Sequence, residues 1–299
     1  MTTPLADPEV LRIRRKIALR NKARRVGWSA MIWALFGVLV LGPLLTVFAF
    51  SVTPSVFRGL GSFTMKWYAQ LFSSPEYYGP LVRSFEVAIL VVIVQLFFGT
   101  AVAYASVRRK VIGAQTLDAL SNITIALPSV VVGLALLSFY GPFGPVHAFS
   151  EFLFSSPLSL TFTLWIVVFA HVLETFPYMV RSVSTVLQRM DPRLESAARS
   201  LGAGPWHVFR TITLPQLRPG LVAGSVLVLS RSIAEFGATI IVVSAVLRTS
   251  PIAIYSEAES GSVEFAAAYS VVLMLVSFAT YLIMSRWLAR VESAPSPEG

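Results

Sequence analysis

The sequence predicts an all-α protein that crosses a membrane six times. Of its 299 residues, 55% are hydrophobic and only 13% are charged, whereas about a quarter of a soluble domain is charged. Six apolar segments each reach the roughly 20 residues that a helix needs to cross a bilayer. The chain has no cysteine, which excludes a disulfide framework and thiolate chemistry.

The six predicted spans are joined by connections of moderate length. Pro43, Pro128 and Pro177 lie inside them, and membrane helices tolerate proline where neighbouring groups satisfy the freed carbonyl. The first segment is too long for the core of a signal peptide and no small-residue cleavage site follows it, so we expect a retained anchor. The predicted spans are Trp28–Val52, Ser84–Val107, Ala119–Tyr140, Leu158–Val180, Gly220–Val246 and Ala266–Met284.

Lysine and arginine are distributed unequally between the two sides. The two termini and the connections at 108–118 and 181–219 carry 19 of the 24 basic residues. The positive-inside rule therefore predicts cytoplasmic N- and C-termini, with a basic tail at 1–27, a membrane domain at 28–290 and a short tail at 291–299. The net charge of +9 is then mainly a topology signal, and no nucleic-acid partner is expected. The basic run at 12–25 anchors the first span or lies as a helix on membrane lipid.

The connection at 181–219 has the pattern of two short helices joined by a sharp turn. The first is predicted at Leu194–Leu201, and Gly202 suits a left-handed stop. Pro205 suits the first turn of a second helix that runs to about Thr213, where Leu214-Pro215 is predicted to end it. The connection therefore forms a rigid projection on the membrane face.

This pattern resembles the permease subunits of binding-protein-dependent ABC importers of the type I (MetI-like) fold. Their signature is Glu-Ala-Ala, three residues, glycine, nine residues and Ile-x-Leu-Pro, and the resemblance covers about residues 84–284. The glutamate position holds Ser196 here, with Glu195 one residue earlier. The remaining matches are Ala197, Ala198, Gly202, Ile212, Leu214 and Pro215.

The resemblance implies a subunit that couples to ATP hydrolysis performed elsewhere. In that family the short helix docks on an ATP-binding subunit, so the implied partners are two ATP-binding subunits and a second permease copy or paralogue. The residues agree, because none of the four lysines lies in a phosphate-binding loop and no catalytic constellation is present. We expect no cofactor on this chain, with ATP and Mg²⁺ held by the partner subunits. His147, His171 and His207 lack metal-ligand spacing, so no metal site is expected.

Arg231 and Glu235 are charged residues near the middle of the fifth predicted span. They are one turn apart, and charges at this depth are costly enough that they either neutralise each other or line a wet path. Both interpretations stay open: a structural ion pair, or part of the substrate pathway.

The stretch around that pair resembles the "R-x-x-x-E-F-G-A" segment of sulfate and molybdate permeases, which includes Gly237. The stretch at 126–137 resembles another segment of the same permeases and adds Pro128 and Ser129 to the candidate pathway. The resemblance implies a small anionic solute such as sulfate, molybdate or a phosphonate (2-aminoethylphosphonate). Ferric iron, thiamine and polyamine are alternatives, and so is an ion-coupled secondary transporter that uses Arg231, Glu235 and Glu174.

His171 and Glu174 share a face of the fourth span, and hydrogen bonding between helices is the favoured interpretation over substrate binding. The outside connections are short and aromatic, with Trp67, Tyr68, Tyr77 and Tyr78 suited to the interfacial belt. None is large enough to capture a solute, so we expect a separate periplasmic or extracellular solute-binding protein.

Overall fold

The computed structural model describes residues 8–55, 62–109, 113, 116, 122–154, 163–243 and 247–293. Within this part of the chain the secondary structure is entirely helical, with three wide π turns at Gly37–Leu41, Ala105–Arg109 and Phe209–Thr213 and a helical stretch at 122–126. The helices are α1 (Pro8–Phe36), α2 (Gly42–Ser51), α3 (Lys66–Leu71), α4 (Pro75–Tyr104), α5 (Ser129–Tyr140), α6 (Pro145–Phe154), α7 (Leu164–Arg189), α8 (Pro192–Ser200), α9 (Pro205–Val208), α10 (Leu214–Ile233), α11 (Gly237–Val242), α12 (Ser250–Glu259) and α13 (Val263–Ser293).

Six helical segments are long and apolar enough to cross a membrane, which confirms the predicted fold class. Helix α1 continues without a break across the predicted boundary at residue 28. The predicted segments at 119–121, 158–162 and 244–246 lie outside the described residues. The six segments are Arg20–Ser51, Pro75–Arg108, Ser129–Leu153, Leu164–Arg189, Pro205–Ile233 and Val263–Arg286.

The fourth span is longer than predicted and the fifth begins earlier. Helix α7 continues past Val180 to Arg189, so the first nine residues of the predicted connection are helical. The prediction that Leu214-Pro215 ends the second short helix is wrong, because α9, the π turn and α10 form one continuous helix from Pro205 to Ile233. In the π turn the N–H of Leu214 bonds to the carbonyl of Phe209, five residues back. This shift in register occurs just before Pro215, so the missing proline N–H does not stop the helix.

Helices α4, α7 and α10 pack together as the core of the bundle. Glycines allow the close approach. A Cβ on Gly99 of α4 would lie 2.7 Å from the side chain of Met179, and one on Gly224 of α10 would lie 2.6 Å from its sulfur. Gly220, one turn earlier on α10, lies against Val186. Gly220 and Gly224 form the small-xxx-small pattern by which membrane helices approach one another closely.

The third and fifth spans are broken helices, and their broken parts pack against each other. Pro128, with a ψ of 131°, lies between the stretch at 122–126 and α5. The fifth span stops at Ile233 and resumes as α11 after residues 234–236. Helix α11 packs on α5, where a Cβ on Gly133 would lie 2.5 Å from the carbonyl oxygen of Ala238. The two breaks lie against each other, so the helix ends on either side of them lie inside the membrane domain. Transport sites are commonly found at such interrupted helices.

Candidate functional site

The short helix α8 is held by residues at both of its ends. Asp191 caps its N-terminus, with Oδ1 accepting a hydrogen bond of 2.9 Å from the N–H of Arg193. The helix ends at Ser200, and Gly202 has a φ of +87°, the left-handed conformation that the sequence predicted for this position. Pro205 then begins the next helix as predicted, with Gly204 at the N-cap position. We call residues 192–213 the bracket, since its two arms meet at an angle set by Gly202.

A buried carboxylate joins the two arms of the bracket. Glu195 is 4% exposed, and its Oε1 accepts a hydrogen bond of 2.9 Å from the hydroxyl of Thr213 on the second arm. The same oxygen lies 3.4 Å from the guanidinium of Arg108, at the end of the second span. Arg108 also donates to the carbonyl of Met190. Arg108 therefore connects the first arm of the bracket to the end of the second span and to the residue that follows the fourth span.

Ser196, which occupies the glutamate position of the resembled motif, has a local role in the structure. Its hydroxyl donates 3.2 Å to the carbonyl of Pro192, and the residue is exposed. Since Glu195 makes the contact between the two arms, the departure from the motif does not remove a carboxylate from the bracket.

The bracket presents large apolar side chains to its surroundings, among them Leu194, which is 49% exposed. Leu201 is 89% exposed and Trp206 is 70% exposed, and Ala197 lies on the same exposed helix while Ala198 is half-buried. Sequence reasoning missed Leu201 and Trp206, although large apolar residues within a polar connection are a recognisable sign of a partner surface. Of the predicted motif residues, Ile212 and Leu214 are half-buried and Pro215 is exposed.

Three charged residues meet at the break in the fifth span. Arg231 lies 3.0 Å from Glu235 and 3.6 Å from Glu174 of α7, measured between guanidinium nitrogens and carboxylate oxygens. Both glutamates are buried, while the side chain of Arg231 is 37% exposed. The other oxygen of Glu235 accepts a hydrogen bond of 2.9 Å from the N–H of Ala238, which satisfies a free donor at the start of α11. We call Arg231, Glu235 and Glu174 the charged cluster.

A hydrogen-bonded histidine lies beside the charged cluster. The ring nitrogens of His171 are 2.7 Å from the hydroxyl of Ser232 and 2.8 Å from that of Thr239, so the ring connects α7 to both sides of the break. This confirms the predicted hydrogen bonding between helices. Glu174 forms an ion pair with Arg231 instead, which sequence reasoning missed because the two residues belong to different spans.

The remaining predicted pathway residues meet on the other side of the break. Gly237 packs directly against Ser129, where a Cβ on the glycine would overlap the serine hydroxyl. Pro128, which precedes Ser129, is exposed. Residues 128, 129 and 237, chosen on sequence alone, are therefore neighbours where the third and fifth spans cross.

Comparison with known proteins identifies the family. Residues 95–292 match the model of the binding-protein-dependent transport system inner membrane component. The chain is 37% identical over 225 residues to the molybdenum transport system permease protein ModB of Escherichia coli K12, covering 74% of this chain and 96% of that protein. This chain belongs to the family of binding-protein-dependent transport system inner membrane components. The permease is also 34% identical to the putative molybdenum transport system permease YvgM of Bacillus subtilis, over 69% of this chain and 91% of the relative. It is 28% identical to a probable sulfate transport system permease, cysT, of Nephroselmis olivacea, over 94% and 96% of the two chains.

Solved structures show the same fold. A bacterial ABC transporter involved in the import of the acidic polysaccharide alginate matches with a TM-score of 0.71 at 14% identity, over 93% of this chain and 99% of that one. The MetNI methionine ABC transporter matches with a TM-score of 0.51 at 19% identity, over 73% and 99%. The relatives are transport permeases rather than enzymes, and the six apolar helices make this permease a multi-pass inner-membrane protein. The cytoplasmic placement of both termini stays a prediction from the charge pattern.

Proposed function

We propose that this permease forms the membrane pathway of an importer for molybdate or sulfate. The curated relatives are molybdenum and sulfate transport permeases, and the stretch around Arg231 resembles a segment of those permeases. We further propose that two ATP-binding subunits, a second permease copy or paralogue and an external solute-binding protein complete the complex. ATP and Mg²⁺ belong to the partner subunits in this assembly, and the permease itself binds no cofactor.

The bracket is the proposed point at which the ATP-binding subunits act. Leu201 and Trp206 offer apolar contacts, and the buried hydrogen bond between Glu195 and Thr213 holds the two arms together. The second arm is the first part of a 29-residue helix, Pro205–Ile233, which is about 43 Å long at 1.5 Å per residue. Movement of the bracket is thus transmitted along the helix to its other end, where Arg231 lies.

The charged cluster is the proposed closure of the pathway rather than its anion-binding site. One guanidinium faces two carboxylates, so with both glutamates ionised the cluster carries a net negative charge and repels an anion. It connects α7 to the two parts of the fifth span, and these segments must separate if the break opens. An ion-coupled carrier, the other hypothesis for these charges, is disfavoured by the family assignment.

The observation that carries this proposal is the continuous helix that joins the bracket to the charged cluster. It is tested by reconstituting the permease with its ATP-binding subunits and its receptor in liposomes. We expect uptake of molybdate or sulfate that requires ATP and the receptor. Uptake that persists without ATP and collapses with the proton gradient would contradict the importer, and selective uptake of a phosphonate, ferric iron, thiamine or a polyamine would contradict the proposed cargo.

A further inference from the structure

Helix α7 carries a second polar feature beyond the charged cluster. Polar residues recur at helical spacing over its last turns, at Arg181, Ser184, Thr185 and Gln188. Asn122 faces them from the beginning of the third span. Together with two apolar neighbours they line a cavity of about 220 Å³. This part of the chain was predicted to be a loop, so its periodicity became visible only once α7 was seen to reach Arg189.

The hydrogen-bonding groups of this cavity are only partly used by the protein. The guanidinium of Arg181 donates one hydrogen bond of 2.7 Å to the side-chain oxygen of Asn122, and the hydroxyl of Thr185 donates to the backbone carbonyl of Arg181. Among the described residues, no carboxylate forms a salt bridge with Arg181, since all five ion pairs involve other cations. Ser184 and Gln188 make no side-chain hydrogen bond in the same part of the chain. Within the described part of the chain, the cavity thus combines a guanidinium that has no carboxylate partner with two available polar groups.

This chemistry is the opposite of that at the charged cluster. There, two carboxylates neutralise Arg231, whereas the partner of Arg181 is an amide oxygen. A guanidinium presents several N–H donors in one plane and binds oxyanions by charge-assisted hydrogen bonds. Ser184, one turn along at i+3, adds a hydroxyl donor, and Gln188, two turns along at i+7, adds an amide donor to the same cavity.

The position of the cavity connects it to the proposed pathway. Glu174 of the charged cluster and Arg181 are seven residues apart on the same face of α7, about 10 Å along the axis at 1.5 Å per residue. Gln188 is another seven residues along, and the bracket begins at Pro192. The cavity therefore lies between the closure and the bracket, beside the last part of a route through the membrane domain.

We propose that this cavity, lined by Arg181, Ser184, Gln188 and Asn122, is an oxyanion-binding site on the exit side of the pathway. The inference deepens the proposed function, because the role as an exit site depends on an anionic cargo. The site supplies the positive charge that the central cluster lacks, and it receives the anion after the break in the fifth span has opened.

The test measures anion binding and transport separately, with sulfate and molybdate as probes. Binding of labelled sulfate to the purified complex without receptor is measured by equilibrium dialysis, and ATP-driven uptake is measured in liposomes. Arg181→Gln is compared with Arg189→Gln, which removes one positive charge from an exposed residue on the last turn of the same helix and outside the cavity. Size-exclusion chromatography of the complex checks assembly.

We expect Arg181→Gln to weaken oxyanion binding at least tenfold and to reduce uptake at least fivefold, with receptor-stimulated ATPase activity within twofold of the unmodified complex. Arg181→Lys should keep most of the binding, and Arg189→Gln should change neither quantity by more than twofold. Equal binding by Arg181→Gln and the unmodified complex would overturn the inference.

Two further results separate this inference from the proposed function. If Arg181→Gln does not assemble, Ser184→Ala and Gln188→Met provide the binding measurement, and unchanged binding in both overturns the site. If the unmodified complex binds oxyanions in an Arg181-dependent way but imports neither probe with ATP, the site stands and the proposed cargo is contradicted.

Discussion

The hydroxyl of Thr213 donates a hydrogen bond of 2.9 Å to the buried carboxylate of Glu195, 18 residues earlier in the chain. The contact closes the bracket, because Glu195 belongs to its first arm and Thr213 to its second. The same carboxylate forms an ion pair with Arg108 of the second span. The side chain of Glu195 thus connects the bracket to the second of the helices that cross the membrane.

Replacing Glu195 should separate the bracket from the spans. Glu195→Ala leaves the side chain of Arg108, which is 11% exposed, without its carboxylate, and removing one partner of a largely buried pair costs about 3 kcal/mol. We expect a lower unfolding temperature and at least a fivefold loss of receptor-stimulated ATPase activity. Ser196→Ala is the matched control, since that residue is exposed and its hydroxyl bonds to the carbonyl of Pro192 within the same helix. Equal coupling in the two variants would show that the contact with Thr213 transmits nothing.

The angle of the bracket depends on the backbone conformation at Gly202. A Cβ there meets no atom within 4 Å, so Gly202→Ala tests the φ of +87° alone, at a cost of about 1 kcal/mol. Gly204→Ala is the control, because Gly204 has a φ of −65° and equally open surroundings. We expect ATPase stimulation by the receptor to fall in the first variant only. A similar loss in both would mean that the turn tolerates no side chain, whatever its conformation.

Much of this arrangement was predicted from the sequence, and the exceptions have physical reasons. The spans and the turn at Gly202 depend on local composition and spacing, whereas Ser129 and Gly237 became candidates through a resemblance to permease segments. The continuation of the helix through Pro215 was missed because a π turn compensates for the missing N–H. The pairing of Arg231 with Glu174 was missed because nothing in either span records which helix will pack beside it.

The crossing of the third and fifth spans should be sensitive to a single methyl group. Gly237→Ala places a Cβ on the hydroxyl of Ser129, and overpacking of this kind costs about 2 kcal/mol. Gly79→Ala, where a Cβ meets nothing within 4 Å, is the control. We expect Ser129→Gly to restore at least half of the lost stability when it is combined with Gly237→Ala. Thermal unfolding of the four variants measures this coupling, and strictly additive effects would contradict the contact.

Removing Arg231 should destabilise the permease through two carboxylates rather than one. Arg231→Met leaves Glu235 and Glu174 close together and unpaired, which we expect to lower stability by about 3 kcal/mol. Adding Glu235→Gln should restore part of the loss, and adding Glu174→Gln most of the remainder. Full recovery with Glu235→Gln alone would show that Glu174 is not a member of the cluster.

Uptake by the triple variant then distinguishes the two roles of the cluster. A folded permease without these charges should lose control of the closure, with ATPase activity that no longer responds to the receptor. Normal uptake and normal stimulation in that variant would make the cluster purely structural.

The absence of cysteine from the chain allows the central claim to be tested by one cross-linking experiment. A photoreactive group is attached to the single thiol of a purified Leu201→Cys permease, the complex is then assembled, and the cross-linked products are identified by mass spectrometry. Phe143→Cys, at a fully exposed position in the connection between α5 and α6, is the control. We predict that Leu201→Cys cross-links to the ATP-binding subunit, with a yield that changes when ATP is added, and that Phe143→Cys does not. Attachment of Leu201→Cys to lipid or to the solute-binding protein alone would contradict the claim that the bracket receives the force of ATP binding.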